Sequence, residues 1–213
     1  MARTNNHTVL ITRPNDDLTT NHLFYWAGLI VSLAKRKGLT VLDLAGKRAN
    51  RKNFESYLRK KSPGIIVFNG HGSPSVITGH NQEILVDTKN SSQHLVGALI
   101  YARSCKAGQV LGKVLVKKGA KAFIGYARDF VFACDEKYTT KPINDPLAKL
   151  FLEPSNLVPI AFIKGNTAQQ SHNKSKVAMR KNVRYMLSSE ASEKERSSAV
   201  WLWSNYTCQK LIE

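Results

Sequence analysis

The chain has 213 residues, 42% of them hydrophobic, which is enough for one well-packed core and too few for two ordinary α/β domains. Its 32 basic and 15 acidic side chains leave a formal charge of +17, but the basic residues are spread along the whole chain with few aromatics between them. That pattern reads as solvated positive faces, not a base-stacking surface, and leaves nucleic acid or an acidic partner open.

No run approaches the roughly 20 apolar residues needed to span a bilayer, so no membrane contact is expected. The segment from Met1 to His7 leads into a strand-like run and lacks the layout of a secretory signal, so the protein is expected to be cytoplasmic. Cys105, Cys134 and Cys208 are too few and too scattered for a disulfide framework or a zinc site, and read as free thiols.

In chain order, residues 8–12 read as a first strand. Leu23, Trp26, Ala27, Ile30, Leu33 and Ala34 recur at helical spacing, predicting a helix over 19–37 that Gly38 closes. A strand over 39–44, a polar helix over 50–60 and a strand over 65–69 follow. Residues 74–86 have the pattern of a hairpin turning at 79–82. A fourth strand is expected over 98–102, an amphipathic helix starting just after Cys105, and a fifth strand over 122–126. Residues 127–146 carry no regular pattern, and loops of that length are usually functional or mobile. Asp145-Pro146 opens a helix, and a long one spans 167–188 with Lys176, Arg180 and Arg184 in a basic stripe. Residues 199–203 suggest a last strand or helix turn. The βαβαβ rhythm predicts an α/β fold with a mostly parallel central sheet and helices on both faces.

Two apolar runs end in reactive side chains. Ile65-Ile66-Val67-Phe68-Asn69-Gly70 leads to His71-Gly72, and Ala98-Leu99-Ile100-Tyr101-Ala102-Arg103-Ser104 leads to Cys105. Open α/β sheets carry their sites beyond the carboxyl ends of the strands, so neighbouring strands would present His71 and Cys105 side by side. An imidazole beside a thiol can take its proton during attack and return it to a leaving amine. The N–H groups of Gly72 and Cys105 are the candidate oxyanion donors. A helix beginning after Cys105 would lower the thiol pKa with its positive end. His80, in a turn, and His94, before a strand, are rival bases, and Asn69 is a candidate to orient His71.

These motifs resemble the caspase-like cysteine peptidases of clan CD: an apolar strand followed by His-Gly, then a second ending in a small residue and Cys. The continuation through Lys106-Ala107-Gly108 to Ala122-Phe123-Ile124-Gly125-Tyr126 is most similar to the CHAT and gingipain branches. The resemblance implies a single caspase-like, CHAT-type peptidase domain over 1–213 with the caspase-like sandwich fold. It implies a His71–Cys105 dyad that forms a thioester acyl-enzyme without a fixed third member, metal or cofactor. It also implies a protein or peptide substrate, and regulated proteolysis such as prokaryotic antiviral defence, under a sensor or regulatory protein partner. The caspase motif Gln-Ala-Cys-x-Gly is absent, since Arg103-Ser104-Cys105-Lys106-Ala107 stands in its place.

The position two before the cysteine commonly lines the substrate pocket in such enzymes, and here it is Arg103. Its guanidinium would favour an acidic side chain, or it pairs with Asp129, Asp135 or Glu136. Those three carboxylates could instead form a pocket for lysine or arginine. A different class also fits the composition: a non-catalytic basic α/β module binding nucleic acid, a nucleotide signal or an acidic protein. Gly70-His71-Gly72 lacks the spacing of a dinucleotide loop or Walker motif.

Overall fold

The computed structural model describes residues 5–89 and 93–213. Its main sheet has six strands: β1 (Asn5–Arg13), β2 (Thr40–Ala45), β3 (Pro63–Asn69), β6 (Leu99–Arg103), β7 (Ala122–Tyr126) and β8 (Gln209–Ile212). They lie in the order β2-β1-β3-β6-β7-β8, with β4 (Val76–Thr78) and β5 (Ile84–Asp87) forming a separate hairpin. The first five sheet strands are mutually parallel, and β8 closes the edge antiparallel to β7.

Alternation along each strand sorts side chains to two faces. Val9, Ile11, Val67, Tyr101 and Ile124 face α1 (Leu18–Arg36), α4 (Pro146–Ile163), α5 (Ala168–Met186) and α6 (Glu193–Cys208). Leu10, Ile66, Phe68, Ile100 and Phe123 face α2 (Arg51–Lys61), α3 (Leu111–Lys117) and the hairpin. Both layers are fully buried, so Leu and Phe side chains there contribute about 1.5–3 kcal/mol each relative to exposure. The mixed α/β sandwich expected from the βαβ rhythm is therefore the observed architecture. No helix among the described residues is long and apolar enough to cross a membrane.

One segment departs from the sequence expectation, and the structure fills in two others. No helix starts after Cys105: residues 104–110 form turns, and α3 begins only at Leu111. Lys106 adopts φ +58°, outside the helical region, and its N–H donates to the Arg128 carbonyl at 3.0 Å. Residues 199–203 lie inside α6, and the last strand is β8. Residues 127–135 are irregular but tied down. Arg128 Nη2 donates to Thr207 Oγ1 at 2.5 Å, and Val131 and Asn205 exchange two hydrogen bonds.

Helix α4 carries Pro154 and Pro159 in its interior. Proline at 154 has no N–H for the carbonyl one turn back, at Leu150. Asn182 Nδ2 from α5 donates to that carbonyl at 2.8 Å, which locks α5 onto α4.

Candidate active site

The sheet order reverses direction between β1 and β3, since β1 leads outward to β2 and the chain then returns to β1's other side. At such a switch point the connections leave in opposite directions, opening a crevice at the carboxyl ends of the strands. Asp16 and Asp17 lie just beyond β1 and His71 just beyond β3. The β3–β6 register pairs Asn69 with Arg103, so His71 and Cys105 each stand two residues beyond that pair on adjacent strands. Gly72 brings the two ends into contact, because a Cβ there would sit 2.9 Å from Ser104 Cβ and 3.2 Å from the Cys105 carbonyl oxygen. Only glycine lets the backbones approach that closely.

His71 Nε2 lies 2.5 Å from Asp17 Oδ2. A carboxylate can only accept in such a contact while it is ionised, so Nε2 is the ring nitrogen that donates to Asp17 and Nδ1 is the one turned away from it. Asp17 is also the N-cap of α1, where its Oδ1 accepts from the Thr20 N–H at 2.7 Å. Partial burial works against its charge. The Thr20 N–H and His71 outweigh that and hold the Asp17 carboxyl below the usual carboxylate range. Asn69, expected as a possible orienter of His71, is engaged elsewhere: its Nδ2 donates to the Thr12 carbonyl at 2.7 Å. The resemblance implies no fixed third member, whereas here the Asp17 carboxylate, 54 residues upstream, lies against His71.

His80 faces a different carboxylate from His71. Its Nδ1 faces Asp16 Oδ1 at 3.7 Å, and the Asn81 N–H donates to Asp16 Oδ2 at 2.8 Å, so the pair fastens the hairpin turn to the β1–α1 connection. His94 lies in the short helical turn Gln93–Leu95 that precedes β6, at the amino end of the strands.

Cys105 is half-buried, and its Sγ lies 4.0 Å from the Phe130 carbonyl oxygen. Burial pushes the thiol pKa up, and the Asp129 carboxylate beside it adds to the rise. This reverses the lowering expected from a helix N-terminus, because the helix that would have supplied the positive end is absent. Asp129 in turn pairs with Lys106 Nζ at 3.4 Å. Asp129→Asn is therefore expected to bring the Cys105 thiol down and to speed its alkylation by iodoacetamide at pH 7.5. A pH–rate profile measured on Cys105 checks this, and an unchanged profile counts against the stated cause.

Arg103 is not at a substrate pocket, in contrast to the sequence expectation. Its side chain is 0% exposed, with Nε and Nη2 donating to Asn69 Oδ1 at 2.8 and 2.6 Å and Nη1 to Asn156 Oδ1 at 2.7 Å. Asn156 also donates to the Trp26 carbonyl, so one buried guanidinium ties the ends of β3 and β6 to α4 and, through it, to α1. Nor does Arg103 pair with Asp129, Asp135 or Glu136. Asp135 caps the short turn Glu136–Tyr138 and meets Lys194 of α6 at 3.2 Å, and Glu136 sits exposed in that turn. Of the three carboxylates, Asp129 is the one whose charge acts on Cys105.

The Gly72 N–H is left outside the bridge that joins Gly72 to Ile77, since the flanking bonds are donated by Ser73 and Thr78. Among the described residues, no three His, Cys, Asp or Glu side chains come together to hold a metal ion. Two cavities of about 620 and 630 Å³ lie elsewhere, one between α5 and α6 and one at the amino end of the strands.

No protein-family model and no curated protein matches the chain. Among solved structures, the Arg-specific cysteine proteinase gingipain R (RgpB) matches 96% of this chain with a TM-score of 0.60 at 10% identity. The fold is similar to that of gingipain R. The complex of Porphyromonas gingivalis RgpB pro- and mature domains matches 97% of the chain at 0.55, again with 10% identity. The chain spans less than half of these proteinases, 45% and 46% of their length, and at this identity the likeness concerns the fold. The caspase-like architecture expected from the His-Gly and Cys strand ends is thereby shown.

Proposed function

We propose that the chain is a cysteine endopeptidase domain that hydrolyses peptide bonds of protein substrates through Cys105, with His71 as base and Asp17 as its positioning residue. The observation that carries this reading is the contact between His71 and Asp17 at the end of β3, beside the strand end that bears Cys105. The gingipain fold supports it.

Asp17 holds the Nε2–H tautomer, so Nδ1 takes the Cys105 proton as sulfur attacks the carbonyl carbon. The oxyanion of the tetrahedral adduct is received by the N–H groups of Gly72 and Cys105. As the C–N bond breaks, His71 returns the proton to the leaving amine, and a thioester remains on Sγ. Water, deprotonated by His71, attacks the thioester and releases the acid and the thiol. Because the thiol pKa is raised, proton transfer accompanies attack instead of preceding it as a resting ion pair.

Incubation with a mixed peptide library, followed by mass spectrometry of the products, tests the reading. Cleavage is expected from the unaltered chain, with a loss on the order of 10³-fold or more in Cys105→Ala and in His71→Ala. Cleavage that persists in either variant overturns it.

A further inference from the structure

The basic stripe of α5 does not stay together. Lys176 folds onto α6, with its Nζ 4.1 Å from the Tyr206 ring centroid and donating to the Tyr206 carbonyl. Arg180 and Arg184 instead stand at the rim of the groove of about 620 Å³ between α5 and α6, with Arg196 among its lining residues. Its remaining lining includes Val183, Leu187, Val200 and Trp203. Leu187, Val200 and Trp203 are 67%, 62% and 49% exposed, which is unusual for large apolar side chains sharing one concave surface. Among the described residues none of the three arginines makes an ion pair. Arg196 donates one N–H to the Ala191 carbonyl.

We propose that this groove docks an acidic amphipathic segment of a partner protein, its apolar side chains seated between the helices and its carboxylates meeting Arg180, Arg184 and Arg196. A groove between two helices with an apolar interior accepts side chains repeating at i, i+3, i+4 and i+7 from an incoming helix. Guanidinium groups at the edge then select carboxylates through paired hydrogen bonds. The lining argues against nucleic acid, which would need phosphate and base contacts where Val183, Leu187 and Val200 lie. A second copy of the chain is disfavoured too. A twofold contact would set the same three arginines against one another in a molecule already at +17. The proposal does not depend on the peptidase reading, since no residue of the groove belongs to the Cys105 site.

The test is a peptide-display selection on the whole chain carrying Cys105→Ala, which removes the nucleophile and keeps bound peptides intact. Enriched sequences are synthesised and titrated against this chain and against versions that also carry Arg184→Glu or Leu187→Ser. Both side chains are exposed and outside every hydrogen bond described, so folding is expected to persist, and circular dichroism verifies it. The expected result is enrichment of sequences with Asp or Glu beside apolar anchors at helical spacing. Their binding should fall at least about tenfold in each variant and weaken with salt. Peptides without acidic residues, or affinity untouched by both variants, overturns the proposal. So does stronger binding at this face, lost in the same variants, of a single-stranded oligonucleotide or of phosphatidylserine vesicles.

Discussion

Asp17→Asn is expected to slow peptide hydrolysis by about 10²–10⁴-fold while leaving the protein almost as stable as before. The two effects separate because the N-cap seen in the structure and the role proposed for Asp17 beside His71 have different chemical requirements. As N-cap of α1 it needs only an oxygen to accept the Thr20 N–H, which asparagine supplies nearly as well. As partner of His71 it needs an acceptor with negative charge to fix the Nε2–H tautomer and stabilise the imidazolium formed during attack. Asp17→Ala loses both, adding a cap deficit of about 0.5–2 kcal/mol. The Asp17 carboxyl is held below the usual range, so its contribution to stability is present above that range and fades as pH falls through the depressed value. Rate and thermal unfolding measured together on the two variants check this. Equal activity in Asp17→Asn and the unaltered chain would reduce Asp17 to a helix cap.

The largest loss of stability is expected at Arg103. Arg103→Ala removes the donors from Asn69 Oδ1 and Asn156 Oδ1 in a fully buried site and opens a cavity. Each abandoned acceptor costs about 1–3 kcal/mol, and together with the cavity the loss comes to about 3–5 kcal/mol. At about 2–4 °C per kcal/mol for a chain of this size, Tm falls by roughly 10 °C. Arg103→Lys keeps the charge but not the fork, so it recovers only part of the loss. Calorimetry on both variants reads the result directly. A Tm within a degree or two of the parent in Arg103→Ala would show that the buried guanidinium is not what joins β3, β6 and α4.

The strand ends were readable because a parallel strand buried on both faces leaves a run such as Ile65-Ile66-Val67-Phe68, and its shortness, its β-branched residues and the flanking Pro63-Gly64 and Gly70 set it apart from a buried helix. Asp17 left no such trace. In sequence it is one of two aspartates before a helix, and its partnership with His71 exists only because β1 and β3 are neighbours in the sheet. The switch-point rule, applied to the residues after β1, was the one signal that pointed there. Arg103 was misplaced by its chemistry. Strand parity puts it on the same face as Tyr101, against α4, and parity prevails over the preference of a cation for water because Asn69, Ser155 and Asn156 supply the oxygens. The turn at Lys106 was not legible, since its left-handed backbone rests on the distant Arg128 carbonyl. The β8 edge strand was hidden for a similar reason, as its four residues acquire a strand's meaning only beside β7.

The most direct test of the central claim is reaction of the intact chain with peptidyl acyloxymethyl ketones, followed by mass mapping of the adduct. Sulfur displaces the carboxylate leaving group and forms a stable thioether only where a thiol is activated beside bound peptide. The account predicts a single adduct on Cys105, lost in His71→Ala and strongly slowed in Asp17→Asn, with Cys134 and Cys208 unmodified. Modification spread evenly over Cys105, Cys134 and Cys208, or unchanged at Cys105 in His71→Ala, would contradict it.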